Sequence, residues 1–401
     1  MTKQTFAELG VSSAVSAALA RRGVTAPFPV QRLVLEDALA GRDVLVKSPT
    51  GSGKTLAFGI PLVELVERGE AGPVALILAP TRELAAQILD AIKDLAAARG
   101  LRATAVYGGV GVAAQAARAA KAQILVATPG RLEDLMQRRA FTLDTVRIFV
   151  LDEADRMLDM GFRPAIDRIV KACPAARQTL FFSATLDGIA GQVASQYTRH
   201  AVTHETGTGG TATGTKVEHR FVTVEGEGRL DALFTELGRE RDRTLVFVRT
   251  KRGADRLVKH LRAGGVTALA IHGDKSQRQR EQALSRFQSG DVDTLIATDV
   301  AARGIDVHGI SHVINFHPPE SHEAYIHRIG RTGRAGRRGV GITLVGDEDR
   351  QEMSRLAGRL GLRRELGGVA ERQPRPARAV SSAASRRART HRGRRSQGRA
   401  A

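Results

Sequence analysis

The 401-residue chain has one cysteine, Cys173, and no tryptophan, and aromatic residues make up only 4% of it. A lone thiol excludes a disulfide framework and a cysteine-based zinc site. Scarce rings argue against gripping single strands by stacking each base on an aromatic platform. No apolar run approaches the roughly 18 residues that a membrane span needs. The stretch from Met1 to Phe6 has no apolar core of the signal-peptide type. His312, His317, His322 and His327 lack the carboxylate or thiol company of a metal centre. A globular protein of a reducing cytoplasm, without membrane contact and working as a monomer, is the expectation.

What the chain does have is cation: 61 Lys plus Arg against 42 Asp plus Glu, a formal charge of +19, with 42% apolar residues. That balance suits a polyanionic partner, and its distribution is uneven. From Gly368 to Ala401 there are ten arginines and one acid, Glu371, among mostly Ala, Ser, Gly and Pro. Such a segment has little to bury and reads as a disordered arm, either a solubilising tail or, the favoured reading, a non-specific contact for phosphates.

The length suits two domains. Strands are expected at 44–47, 74–79, 103–107, 124–127, 146–151 and 179–182, separated by stretches of helical period such as 82–99. This alternation predicts an α/β domain whose parallel sheet is covered on both faces. The run from Glu205 to Thr215 is Gly/Thr-rich without a large apolar residue and reads as a linker. The rhythm then resumes, with strands expected at 244–248, 267–271, 294–297 and 312–315. Expected boundaries are 1–204 for the first domain, 205–216 for the linker, 217–366 for the second domain and 367–401 for the tail.

Ser48-Pro49-Thr50-Gly51-Ser52-Gly53-Lys54-Thr55 lies between an expected strand and helix, where a phosphate-binding P-loop belongs. Backbone N–H groups from Thr50 to Gly53 would converge on phosphate oxygens. Lys54 would reach the outer phosphates, and the Thr55 hydroxyl would coordinate magnesium. Farther on, the apolar run Ile148 to Leu151 ends in Asp152-Glu153-Ala154-Asp155. An acid at the end of a buried strand suits a magnesium-holding aspartate, Asp152, acting through water. Glu153 beside it would orient and deprotonate an attacking water. The second half has no phosphate cradle, but its run from His327 to Arg334 carries arginines at a spacing of three. These are candidates for stabilising charge on a transferring phosphate, or simply a solvated basic face.

Taken in order, these motifs resemble the DEAD-box family of ATP-dependent RNA helicases over roughly residues 6 to 360. The resemblance implies two tandem RecA-like domains, ATP and Mg2+ as cofactors, and RNA as partner. Gln31 would read adenine, supported by Phe6. Arg82 within Pro80-Thr81-Arg82-Glu83-Leu84, together with Gly108, Gly109, Thr128, Pro129, Gly130 and Arg131, would contact the RNA backbone. Ser183 and Thr185 would couple ATP state to strand separation through hydroxyls bonded to the loop ending at Asp155. In the second half, His272, Gly273, Arg280 and Thr298 would meet RNA, and Gln277 and Arg280 would help close the domains. Arg303 and Asp306 would face the nucleotide. Arg331 and Arg334 would be the arginine fingers, and His327 would bridge to the acid loop.

The implied activity is separation of short duplexes, or remodelling of RNA and ribonucleoprotein, with little sequence preference and with ribosomal or RNA-decay proteins as partners. An ATP-gated RNA clamp and a DNA helicase are the alternatives. Four positions depart from the family pattern: Val24 where an aromatic is common, Phe28 where Thr or Ser is, Ser48 where Ala is, and Arg249 where Asn is.

Overall fold

The computed structural model describes residues 4–48, 52–186, 188–206, 217–226, 228–302, 307, 309–333 and 337–367. Of the residues singled out by sequence, Thr50, Gly51, Arg303, Asp306 and Arg334 lie outside these, as do most of the expected linker and the basic tail.

The first half contains β1 (Val44–Lys47), β2 (Ala75–Leu78), β3 (Ala103–Val106), β4 (Ile124–Ala127), β5 (Ile148–Leu151), β6 (Gln178–Ser183) and β7 (Val202–Glu205). They form one sheet in the order β3-β4-β2-β5-β6-β1-β7, and every pairing is parallel. Its central strands read as unbroken Val/Ile/Leu runs because both faces are buried. Alternate residues serve two separate apolar clusters. Val44, Ile77, Val126 and Val150 enter one cluster, and Leu78, Leu125, Phe149 and Phe181 the other.

The second half contains β8 (Val217–Val224), β9 (Arg243–Phe247), β10 (Ala268–Ile271), β11 (Thr294–Ala297), β12 (Ile310–Asn315) and β13 (Gly339–Gly346). Their order is β10-β11-β9-β12-β13-β8, again parallel throughout. Leu245 and Leu295 bury on one face, Val246 and Ile296 on the other.

Parallel pairing collects all strand C-termini at one edge, and in open α/β sheets ligands bind there. Register places Val106, Ala127, Leu78, Leu151 and Phe181 in one row. In the second sheet Ile271, Ala297, Phe247, Asn315 and Thr343 form the matching row. Each motif loop leaves from just beyond one of these rows.

Glu205, expected to open the linker, instead closes β7 against Lys47, with an N–O distance of 2.8 Å between their charges. The first sheet therefore holds the chain beyond residue 204.

Candidate nucleotide and RNA site

Beyond β1 the chain turns at Ser48, whose N–H donates to the Ser183 carbonyl at 2.9 Å and so ties the loop entrance to the end of β6. Ser48 Oγ meets Ser52 Oγ at 2.7 Å, a bridge across the loop that alanine would lack. Gly53 adopts φ +94° and caps the helix Lys54–Leu65. Only glycine suits that position twice over: the backbone is left-handed, and a Cβ would lie 2.8 Å from Phe28 Cδ2 and 2.9 Å from Gln31 Nε2. Lys54 is buried and its Nζ donates to the Ser48 carbonyl at 2.9 Å, so the side chain folds back over the loop it follows. Thr55 stands half-buried in the first turn.

The segment expected to read adenine is locked onto this loop. Gln31 Oε1 accepts from Phe28 N–H at 2.9 Å, and Gln31 Nε2 donates to the Gly53 carbonyl at 2.9 Å. Each amide atom has the valence for one further hydrogen bond, but Gln31 is fully buried here. Phe6 is buried in the same apolar cluster as Val30 and Val34, and it supports the segment from within the core.

At the end of β5, Asp152 and Glu153 are both buried. Glu153 has φ +53°, one of three non-glycine residues among those described with positive φ, and caps the short helix Ala154–Asp159. A left-handed glutamate is held there only if its surroundings over-determine it, as tends to happen at functional sites. Its carboxylate pairs with Arg156 NH1, one helical turn on, and Arg156 is itself buried. Burial works to raise the Glu153 pKa, but the charges of Arg156, Arg331 and Lys54 outweigh it and hold the group below the usual carboxylate range. Asp152 goes the other way: burial raises it despite Lys54, and its Oδ1 is buried with no hydrogen-bond partner among the described residues.

Asp155 links this loop to β6 by a route the sequence did not suggest. The N–H groups of Ala184 and Thr185 donate to Asp155 Oδ2 at 3.1 and 3.2 Å, so backbone rather than the expected hydroxyls joins the two loops. The strand has ended there, leaving those amides free to donate. Ser183 Oγ accepts from Thr185 N–H at 3.4 Å within the same turn.

The second half meets the first at this edge. Arg331 is buried, its Nε donates to the His327 carbonyl at 3.2 Å, and its charge acts on Glu153 across the seam. His327 lines a small cavity with Arg156 from the first half and Arg331 from its own. Burial lowers its pKa, so the ring is neutral in this cationic setting. Arg328 is committed within the second half: it forks onto Asp299 at 2.6 and 2.7 Å, reaches Asn315 and the His317 carbonyl, and lies over the Phe247 ring. On the neighbouring stretch of the seam, Arg280 NH2 pairs with Glu83 Oε1 at 2.8 Å, and both residues are buried. Gln277, one turn earlier, donates to Glu281 at 2.9 Å. Sequence reading passed over Arg156, and it quoted Glu83 within a motif without giving it a role across the seam. The signal for Arg156 was a cation three residues after an acid at a helix start.

Toward the β3 edge of the first sheet lie the residues suited to RNA. Arg82 begins the helix Arg82–Ala98, which Thr81 caps through its hydroxyl. Its guanidinium lies along Gly108 and Gly109; at Gly109, φ +82°, a Cβ would come within 2.2 Å of Arg82 NH1. Thr128 caps the helix opened by Pro129 and Gly130, and Arg131 NH1 donates to Val110 O and Gln115 Oε1 at 3.1 and 2.8 Å. Across the seam, Thr298 follows β11. His272, expected to meet RNA, is instead buried with its Nε2 3.1 Å from Asp255 Oδ1, and of the pair only Gly273 is exposed.

The chain is 40% identical over 347 residues to the ATP-dependent RNA helicase CshA of Listeria monocytogenes, a match covering 86% of this chain and 66% of that protein. It is 38% identical over 356 residues to the DEAD-box ATP-dependent RNA helicase RhpA of Helicobacter pylori, covering 88% and 72%. Among solved structures, S. cerevisiae Dbp5 bound to RNA and ADP BeF3 superposes with a TM-score of 0.81 at 31% identity, over 89% of this chain and 94% of that one. Two parallel-sheet domains, a P-loop and strand-end acids define a P-loop nucleoside triphosphatase of the helicase class. Residues 28–191 match the DEAD/DEAH box helicase family, and residues 228–336 match the helicase conserved C-terminal domain. The chain belongs to the DEAD-box family of ATP-dependent RNA helicases.

Proposed function

We propose that this chain is an RNA-stimulated ATPase that closes its two halves over ATP and an RNA strand, separates short duplexes locally, and is reset by hydrolysis. One observation carries the reading: Arg331 and His327, from the second half, line one cavity with Arg156 of the first, while Arg280 and Glu83 pair across the same seam. Nucleotide and RNA loops thus share one closed edge. What alters the triphosphate at β1 and β5 can alter the groove at β2, β3 and β4.

In this reading Lys54 leaves the Ser48 carbonyl to meet the outer phosphates, and Gln31 uses its remaining positions on adenine. Glu153, ionised under the pull of Arg156 and Arg331, accepts a hydrogen bond from the attacking water; an acid held so low orients water better than it deprotonates it. Arg331, with Arg334 beside it in sequence, meets charge that develops on the phosphoryl group. The donor chemistry fits magnesium, which prefers one or two carboxylates and phosphate oxygens, and Asp152 Oδ1 has no other partner. Thr55 and, through water, Asp152 would hold it, and the ion would neutralise phosphate charge.

RNA contact falls on backbone: Arg82, Arg131, the Gly108-Gly109 turn and the helix start at Thr128 suit phosphates, which carry no sequence information. The proposal extends to a monomer acting in the cytoplasm, in ribosome assembly or RNA turnover, on the strength of the family resemblance. ATP hydrolysis should rise with single-stranded RNA and stay near basal with DNA of the same sequence. Equal stimulation by both would contradict the RNA reading.

A further inference from the structure

All 13 phenylalanines and 3 tyrosines lie among the described residues, and Phe28 alone is exposed, at 53%. Leaving a ring in water forgoes apolar burial that its fellows take. This ring stands at the nucleotide loop. Its Cδ2 lies against Gly53, close enough to forbid a Cβ there, and Gln31 Nε2 holds the carbonyl of that same glycine. Its backbone is fixed as well, because Phe28 is extended before Pro29, with φ −69° and ψ 161°, and its N–H is bonded to Gln31 Oε1. Val24, in the same segment, is half-buried against the core and offers no π face.

We propose that Phe28 is the platform on which the nucleotide base stacks, and so a specificity-determining residue for the base at this P-loop. A base that seats against this loop, over the buried Gln31, meets the exposed ring of Phe28 where it lies against Gly53. The inference rests on the reading of this loop as an ATP site. It also gives a role to the two departures at Val24 and Phe28: the segment's ring sits four residues later in the chain.

The test measures ADP affinity of the full chain and of Phe28→Ala, Phe28→Leu and Phe28→Trp, with inorganic tripolyphosphate as a ligand that has phosphates and no base. Phe28→Ala and Phe28→Leu are expected to weaken ADP about tenfold and to leave tripolyphosphate unchanged. Phe28→Trp should keep ADP affinity. Because the native chain has no tryptophan, its emission should report the site alone and be quenched by ADP but not by tripolyphosphate. Wild-type ADP affinity in Phe28→Leu, equal losses for both ligands in Phe28→Ala, or emission indifferent to ADP would each overturn the stacking role while wild-type ADP binding stands. A wild-type chain that binds no ADP would overturn the nucleotide reading, and the platform with it.

Discussion

Glu153 shows how much of the chemistry is settled by a single residue's surroundings. Its place after an apolar strand was legible in the sequence, since a buried run ending in acids has few other uses. Its left-handed backbone and its pairing with Arg156 were not, because φ and a salt bridge within one turn depend on how β5 meets the seam. Glu153→Gln keeps the shape and removes the charge. ATP and RNA binding should persist while turnover falls by about 10²-fold or more, the usual scale for losing a positioned acid or base. Single-turnover hydrolysis measures this, and a wild-type rate would show that another group orients the water. Lys54→Ala should instead lose hydrolysis through failed phosphate contact, and equilibrium ATP binding separates the two variants.

The legibility of the elements followed their burial. Strands buried on both faces, such as β4 and β11, stood out as apolar runs with the boundaries the structure has. Three strands escaped notice, each for a physical reason. β7 is an edge strand, Val-Thr-His-Glu, half exposed along its length. β8 opens with charged residues on the far edge of the second sheet, and the glycines of β13 dilute its pattern.

Turns carry their own predictions. Gly109→Ala forces a side chain into the left-handed region and against Arg82. It should cost about 1–2 kcal/mol of stability and weaken RNA binding, while ATP affinity without RNA is unchanged. Thermal melts and RNA titrations check it, and unaltered RNA affinity would remove the turn from the RNA surface.

His317, after β12, has its pKa lowered from 6.5 to about 4 by burial, with Arg229 and Arg249 adding to the effect. The unfolded chain therefore takes up a proton near pH 6.5 that the folded chain refuses until about 4. Stability should fall as pH drops through that window, and His317→Gln should fall less steeply in denaturant melts between pH 7 and 4. Parallel slopes would place the loss elsewhere.

At the scale of the whole molecule, the seam turns two similar sheets into one device. The order of motifs along the chain announced a bipartite site, yet which residues face each other across it could not be read from the string. Arg280 and Glu83 are 197 positions apart and pair only because two parallel sheets present their C-terminal edges to each other. Removing one partner leaves a buried charge alone, at a cost of about 3–5 kcal/mol to the closed form. Arg280→Ala should therefore raise the RNA concentration needed for half-maximal ATPase by tenfold or more.

The most direct test is the distance between the halves, followed by energy transfer between dyes on cysteines introduced at the exposed positions Gln137 and Arg355, with the buried Cys173 replaced by serine. The transfer signal should shift to a single closed-state value only when a non-hydrolysable ATP analogue and single-stranded RNA are both present. It should revert on exchange to ADP, and the shift should be lost in Arg280→Ala. A signal that is the same with no ligand, either ligand or both would contradict the claim that ATP and RNA close this chain between them.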